Sequence, residues 1–288
     1  MEIQEYFNCN VDSFLCRSQS VVAIKLQRFH DAGPESVHAI FDFDHTITAA
    51  IRPGEDISSW DILDSHLPTE GKASEADLYR KYRALEVKGN LTEDDANEWW
   101  SQSLDLYVKH GANVHDIKQT FIEIAKLRTG IAELTTLYGQ LDIPIIILSA
   151  GVREVIEAIN EHHGIAPSQL IATKLHYTPD GRITGWDRST LVHSRNKLSW
   201  SHKELTGYRD KRPLTILVGD SLEDANMAEG DENVLRIRIH DPRTDEHDDQ
   251  ATFARKSFAA GFDLIIGPDL TPLVQLCKQL FEQAEEVI

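Results

Sequence analysis

The segment Phe41-Asp42-Phe43-Asp44-His45-Thr46-Ile47-Thr48 places two carboxylates and a hydroxyl at alternate positions directly after the apolar run Val37-His38-Ala39-Ile40. Side chains alternate faces along a strand, so Asp42, Asp44 and Thr46 are expected on one side and His45 on the other. His45 is therefore read as structural, or as reaching towards whatever covers the site. Carboxylates at the end of a buried strand are costly unless paired, hydrogen-bonded or metal-bound. In an open α/β sheet that end is also where ligands bind. A second acidic group, Gly219-Asp220-Ser221-Leu222-Glu223-Asp224, follows another apolar run. Ser221 and Asp224 have the spacing of a capping box, yet Asp220 is expected at the same sheet edge as Asp42. Carboxylates converging there form the hard, oxygen-rich environment that Mg²⁺ prefers. A third candidate is Leu148-Ser149-Ala150-Gly151. It fits phosphate binding by a hydroxyl and backbone N–H groups at a helix start; it fits equally an ordinary N-cap at Ser149 with a tight turn at Gly151.

Strands at 37–43, 143–149, 169–175, 214–219, 233–238 and 263–267 are needed to position these groups. Ile143–Leu148 and Leu214–Val218 are nearly continuous aliphatic runs, which suit strands buried on both faces of a parallel sheet. Helical patterns follow at 152–163, 195–205, 222–228 and 271–286. The alternation predicts an α/β fold with a doubly wound, Rossmann-like parallel sheet. Roughly ninety residues separate the first two strands, too many for a loop in a compact domain. They carry helical patterns at 74–86, from the N-cap Thr92 through Trp99, Trp100 and Tyr107, and near 114–128. The expected division is a discontinuous core, 1–50 and 137–288, with a helical cap inserted at 51–136. Pro179-Asp180-Gly181 marks the turn of a small hairpin within 174–186.

The chain has 288 residues, 41% of them hydrophobic, and a net charge of −18 from 29 basic and 47 acidic side chains. That balance argues against nucleic acid as a partner, because phosphate backbones need a basic face. Met1-Glu2-Ile3-Gln4-Glu5 lacks the pattern of a signal peptide, and no apolar run reaches membrane-spanning length. Cys9, Cys16 and Cys277 form no metal-type spacing, so reduced thiols in a cytoplasmic protein are the simplest reading. The oligomeric state is left open, with a monomer as the default. His240-Asp241 with Asp245-Glu246-His247-Asp248-Asp249 reads as a solvated acidic loop, since nothing fixes ligand geometry there.

Taken together, these motifs resemble the haloacid dehalogenase superfamily of aspartate-nucleophile phosphohydrolases, and within it the pyrimidine-type cytosolic 5′-nucleotidases, which include members specific for 7-methylguanosine phosphate. Asp42-Phe43-Asp44-His45-Thr46 is similar to the nucleophile motif, Ser149 to the phosphate-binding hydroxyl, and Asp220 with Asp224 to the acidic metal motif. The cap strings Tyr82-Arg83-Ala84-Leu85-Glu86-Val87, Leu91-Thr92 and Glu98-Trp99-Trp100-Ser101-Gln102-Ser103 resemble the nucleotidase branch. The resemblance runs from about residue 35 to the C-terminus; residues 1–34 find no counterpart and receive no function.

The resemblance implies Asp42 as nucleophile, Asp44 as general acid and base, and Lys197, in Ser194-Arg195-Asn196-Lys197, as the catalytic lysine. It implies phosphate contacts from Thr46, Ser149, Ala150 and Gly151, and Mg²⁺ held by Asp42, the backbone carbonyl of Asp44, Asp220 and Asp224, the last mainly through water or a neighbouring ligand. Glu86 and Ser103 are implied in the nucleoside pocket. Trp99 and Trp100 are adjacent, so on a helix they point about 100° apart; Trp100 is expected to stack on the base and Trp99 to be core. An indole face over a cationic 7-methylguanine gains cation–π attraction, which tilts the reading from CMP and UMP towards 7-methyl-GMP. Phosphotransfer to another nucleoside is open to the same intermediate. The alternatives are a related phosphatase for another small phosphomonoester, such as phosphoserine, and a non-catalytic nucleotide-binding protein.

Overall fold

The computed structural model describes residues 14–49, 57–242 and 248–281. Their strands are β1 Phe14–Cys16, β2 Val37–Phe41, β3 Thr48–Ala49, β4 Lys126–Leu127, β5 Ile145–Val152, β6 Gln169–Thr173, β7 Leu175–Tyr177, β8 Ile183–Trp186, β9 Leu214–Gly219, β10 Val234–Ile239 and β11 Leu264–Ile266. The helices are α1 Gln19–Ala32, α2 Ser59–Ser65, α3 Thr69–Val87, α4 Glu93–His110, α5 Val114–Ile124, α6 Ile131–Gln140, α7 Arg153–His163, α8 Lys197–Lys211, α9 Gln250–Ala259 and α10 Thr271–Phe281.

Seven strands form the main sheet in the order β1-β11-β10-β9-β2-β5-β6. All neighbours are parallel except β1, which runs antiparallel to β11 along one edge. The aliphatic runs explain the burial on both faces. Ala39, Phe41, Ile145, Ile147, Ile216 and Val218 point to one side, into a core completed by α1, α6, α7 and α10. Ile40, Ile146, Leu148 and Leu217 point to the other, against Leu205 of α8 and Met227. From β2 the chain proceeds to β5 and β6 on one side and later to β9, β10 and β11 on the other. β2 therefore sits where the strand order reverses, and such sheets open a crevice at that place.

Register aligns the strand ends at this crevice. Phe41 pairs with Val218 of β9 and with Ile147 of β5. Asp42 thus follows the last paired residue of β2, and Ser149 and Asp220 each lie two residues beyond its partners. The chain between β3 and β4 forms α2 to α5, and the β3–β4 ribbon brings its two ends together. Tyr82, Leu91, Ala96 and Trp99 make a small separate core within this region. Full burial of each large apolar side chain contributes about 1.5–3 kcal/mol. Leu104, Tyr107, Val114, Ile117 and Phe121 instead join the main core, so α4 and α5 share its stability.

Several boundaries differ from the sequence expectation. Residues 14–32, which find no counterpart in the resemblance, supply β1 and α1, and α1 buries Val22, Leu26 and Phe29 at helical spacing. α3 starts at Thr69 rather than near residue 74. Residues 223–228 form a tight 3₁₀ turn instead of an α-helix. Residue 51, where the expected cap begins, lies outside the described residues, as do Cys9, Asp245, Glu246 and His247.

Candidate active site

The strand expected to run through Asp44 and Thr46 ends at Phe41. Alternation therefore does not gather the acids; a turn does. The carbonyl of Phe43 accepts from the backbone N–H groups of Thr46, Ile47 and Thr48 at 3.3, 2.9 and 3.1 Å, winding the chain tightly around the buried Phe43. His45 adopts φ 59°, in the left-handed region, which costs a residue with a Cβ about 1 kcal/mol or more. Arg128 offsets this by donating from Nε to the His45 carbonyl at 2.8 Å, while its Nη1 pairs with Asp241 at 2.9 Å. Both side chains of that ion pair are buried.

Thr46 Oγ1 donates to Asp220 Oδ1 at 3.0 Å. Lys197, in the first turn of α8, donates from Nζ to Asp42 Oδ1 and to Asp224 Oδ1, each at 2.7 Å. Oxygens of Asp42, Asp220 and Asp224 all lie within 4.8 Å of one another. Burial raises the pKa of Asp42, and Asp224 and Asp220 push the same way against the opposing pull of Lys197. Burial works against the charge of Lys197, but Asp224 and Asp42 outweigh it and hold its pKa up. Asp220 is pushed up to about 6 by burial and then by Asp224. Such crowding of hard oxygen donors around one ammonium fits a divalent cation such as Mg²⁺. Close packing makes Gly219 obligatory, because a Cβ there would lie 2.4 Å from the Cβ of Asp224.

Asp44 faces the other way, towards α2. Its Oδ1 accepts from the backbone N–H of Ser59 at 2.9 Å and its Oδ2 from Ser59 Oγ at 2.5 Å. Burial raises its pKa, and the Ser59 bonds oppose that. A capping box sets Ser59 in place: Asp61 N–H donates to Ser58 Oγ, and Ser58 N–H donates to Asp61 Oδ2.

Ser149 is buried within β5, which continues to Val152, so it caps no helix. Gly151 N–H donates to Ser149 Oγ at 3.0 Å. A Cβ at Gly151 would meet Ser59 Oγ at 2.6 Å, so this glycine lets the insertion approach the sheet. The Ala150 carbonyl accepts from the indole N–H groups of both Trp60 and Trp100, at 3.2 and 3.3 Å.

A cavity of about 420 Å³ opens beside this edge, lined by Trp60, Trp99, Trp100, Asp64, Glu75 and Glu86 among others. Trp60 and Trp100 meet edge to face, with centroids 6.2 Å apart. Trp99 stacks on Tyr82 as core, yet its rim also borders the cavity. Glu86 is ion-paired with Arg83 and accepts from Ser194 Oγ at 3.3 Å. Ser103 is buried and donates to Glu75 Oε1 at 2.8 Å. Tyr107 donates its hydroxyl to Asp64 Oδ1. Burial, and less strongly the charge of Asp64, pushes Glu75 up to about 7; burial pushes Asp64 up to about 6. His193, lowered by burial to about 4, is neutral; its Nδ1 accepts from Arg195 N–H, so Nε2 donates to Asn97 Oδ1 across the same seam.

Ser59, Trp60, Asp64, Glu75, Arg128 and His193 are members of this site that the sequence reading omits. The Ser58-x-x-Asp61 capping pattern would have located α2, and with it Ser59, Trp60 and Asp64. Glu75 and Arg128 carry no local pattern of that kind.

This fold, with acids at the ends of β2 and β9, is shared with solved phosphatases. A substrate-bound phosphoserine phosphatase shares it at TM-score 0.54 and 15% identity, over 84% of this chain and 97% of that one. The chain belongs to the pyrimidine 5′-nucleotidase (UMPH-1) family, whose model matches residues 45–274. It is 26% identical over 275 residues to 7-methylguanosine phosphate-specific 5′-nucleotidase A of Xenopus laevis, covering 90% of this chain and 92% of that one. Cytosolic 5′-nucleotidase IIIB bound to cytidine has the same fold at TM-score 0.80 and 24% identity, over 100% of both chains.

Proposed function

We propose that this chain is a Mg²⁺-dependent 5′-nucleotidase that releases phosphate from nucleoside monophosphates through an aspartyl-phosphate on Asp42. The observation that carries this reading is the buried ammonium of Lys197 strung between Asp42 and Asp224, with Asp44 held separately by Ser59. One carboxylate is thereby poised as nucleophile, while another, with a raised pKa, is poised to move a proton.

In the proposed reaction an Asp42 oxygen attacks phosphorus in line and the P–O5′ bond breaks. Asp44 gives its proton to the leaving ribose oxygen, then takes one from the water that attacks the aspartyl-phosphate, which restores Asp42. Lys197, Thr46 and Ser149 hold the phosphoryl oxygens together with backbone N–H groups at Ala150 and Gly151. Asp42, Asp220, Asp224 and the carbonyl of Asp44 would hold Mg²⁺, whose charge offsets the repulsion between the attacking carboxylate and the phosphate. Residues 51–136 act as the cap that encloses the nucleoside and excludes water.

The base pocket favours 7-methylguanine. Three tryptophans line it together with Asp61, Asp64, Glu75 and Glu86, a combination suited to a flat cation. The Xenopus relative is named for that substrate. The neighbour bound to cytidine supports CMP or UMP as the second reading. Phosphate release from 7-methyl-GMP, CMP, UMP, GMP and phosphoserine, each with Mg²⁺ and with EDTA, tests the proposal. Metal-dependent release from the nucleotides supports it; release from phosphoserine alone removes both the substrate and the cap assignments.

A further inference from the structure

Four carboxylates face the base cavity, and their hydrogen bonding separates them. Both oxygens of Glu86 are engaged, Oε2 by Arg83 and Oε1 by Ser194. Asp64 accepts the Tyr107 hydroxyl, and Asp61 is occupied by the capping box of α2. Glu75 differs. Its Oε1 accepts from Ser103, but Oε2 has no hydrogen-bond partner among the described residues, although Glu75 is only 7% exposed and lies on the cavity wall. A buried carboxylate oxygen without a donor costs about 1–3 kcal/mol, a cost that a donor group entering the cavity would remove.

We infer that Glu75 is the specificity-determining residue of the base pocket, its unshared oxygen accepting a hydrogen bond from the amino or imino edge of a cationic nucleobase held among the tryptophans. The inference deepens the nucleotidase reading and rests on it for the identity of the ligand. Arg83 already neutralises Glu86, the Tyr107 hydroxyl engages Asp64 and the capping box holds Asp61, which leaves Oε2 of Glu75 to complement a positive ring. A neutral pyrimidine offers fewer donors and no charge, so it gains less from this oxygen. Asp64 on α2 and Tyr107 on α4 act on Glu75 directly; Asp61 and Lys72 act on Asp64 beside it, and Asp61, Tyr79 and Glu86 share the cavity wall. Ser103 orients the carboxyl from α4, so Glu75 has one defined direction in which to accept. The raised pKa of Glu75 places its titration in the neutral range, where a cation entering the pocket draws it into the ionised form.

The test is equilibrium binding of the nucleosides 7-methylguanosine and cytidine, followed by tryptophan fluorescence on the full-length protein, wild type against Glu75→Gln. Binding of nucleosides is independent of turnover, so a failure of the hydrolase reading in the phosphate-release screen is distinguishable from a failure here. The expected result is a loss of affinity for 7-methylguanosine of about tenfold or more, the worth of one charge-assisted hydrogen bond, with cytidine changed less than about twofold. The ratio of wild-type to variant affinity for 7-methylguanosine should widen from about pH 6 to about pH 8, because only the wild type ionises there and the ligand's own titration cancels. Glu75→Met, of similar length and uncharged, reads the same contrast if the glutamine variant does not fold. Equal loss for both nucleosides, no loss for either, a flat ratio with pH, or no binding of 7-methylguanosine to the wild type would each overturn the inference.

Discussion

At the scale of single residues the site is a set of tight mutual constraints around Lys197. Replacing Asp42 by Asn removes the proposed nucleophile and one of the two carboxylates that hold the ammonium. Phosphate release should fall by about 10³-fold or more, with the circular dichroism spectrum unchanged. A variant that keeps its rate would remove the proposed chemistry. Gly219→Ala acts through volume alone, since the new Cβ would sit 2.4 Å from that of Asp224. Overpacking of this kind typically costs about 1–3 kcal/mol, and a lowered melting temperature together with lost activity is the expected outcome. The acids around Lys197 were legible in the sequence because carboxylates at the ends of aliphatic strands have few reasons to exist. Glu75 was not legible. A lone glutamate on a helix is ordinarily a solvated one, and nothing near it in the chain announces that Ser103, twenty-eight positions away, turns it inward.

At the scale of elements, the alternating pattern of strands and helices was readable because parallel strands buried on both faces must be aliphatic throughout. Short pieces escaped. α2 has seven residues, too few to show a helical period, yet it delivers Ser59 to Asp44. The turn from Asp42 to Thr48 was mistaken for strand because alternate acids match the strand period, whereas the carbonyl of Phe43 winds them into a coil. Arg128, just beyond β4, ties that coil to the rest of the molecule. Arg128→Ala removes a buried ion-pair partner of Asp241 and releases the His45 carbonyl, for which about 3–5 kcal/mol of destabilisation is expected. Denaturant unfolding measures it directly. Arg128→Lys should recover only part of the loss, because an ammonium cannot make both contacts of the guanidinium fork.

At the scale of the whole molecule, the acidity of the pocket is a stability statement. Raising the Glu75 carboxyl from 4.5 to about 7 means that the folded chain binds a proton more tightly there than the unfolded chain does. The contribution is fully favourable below about pH 4.5 and is lost as pH rises through about 7, at a total cost of about 3 kcal/mol. Thermal melts of the wild type should therefore fall between about pH 5 and pH 8. Glu75→Gln should flatten that slope and melt higher than the wild type at the alkaline end. Mg²⁺ should act in the opposite sense by binding the folded carboxylate cluster, raising the melting temperature with the logarithm of its concentration above the dissociation constant, an effect that Asp220→Asn should diminish.

The Ala150 carbonyl has a kinetic consequence. One oxygen on the strand that carries Ser149 is shared by the indoles of Trp60 and Trp100, which belong to two different helices of the insertion. Neither helix can move away from β5 without surrendering its bond. At about 0.5–1.5 kcal/mol net for each bond, the two indoles add about 1–3 kcal/mol to whatever else holds α2 and α4 against β5. Entry of the proposed substrate past Trp60 and Trp100, and departure of its products, would therefore be governed by a single backbone oxygen of the strand that carries Ser149.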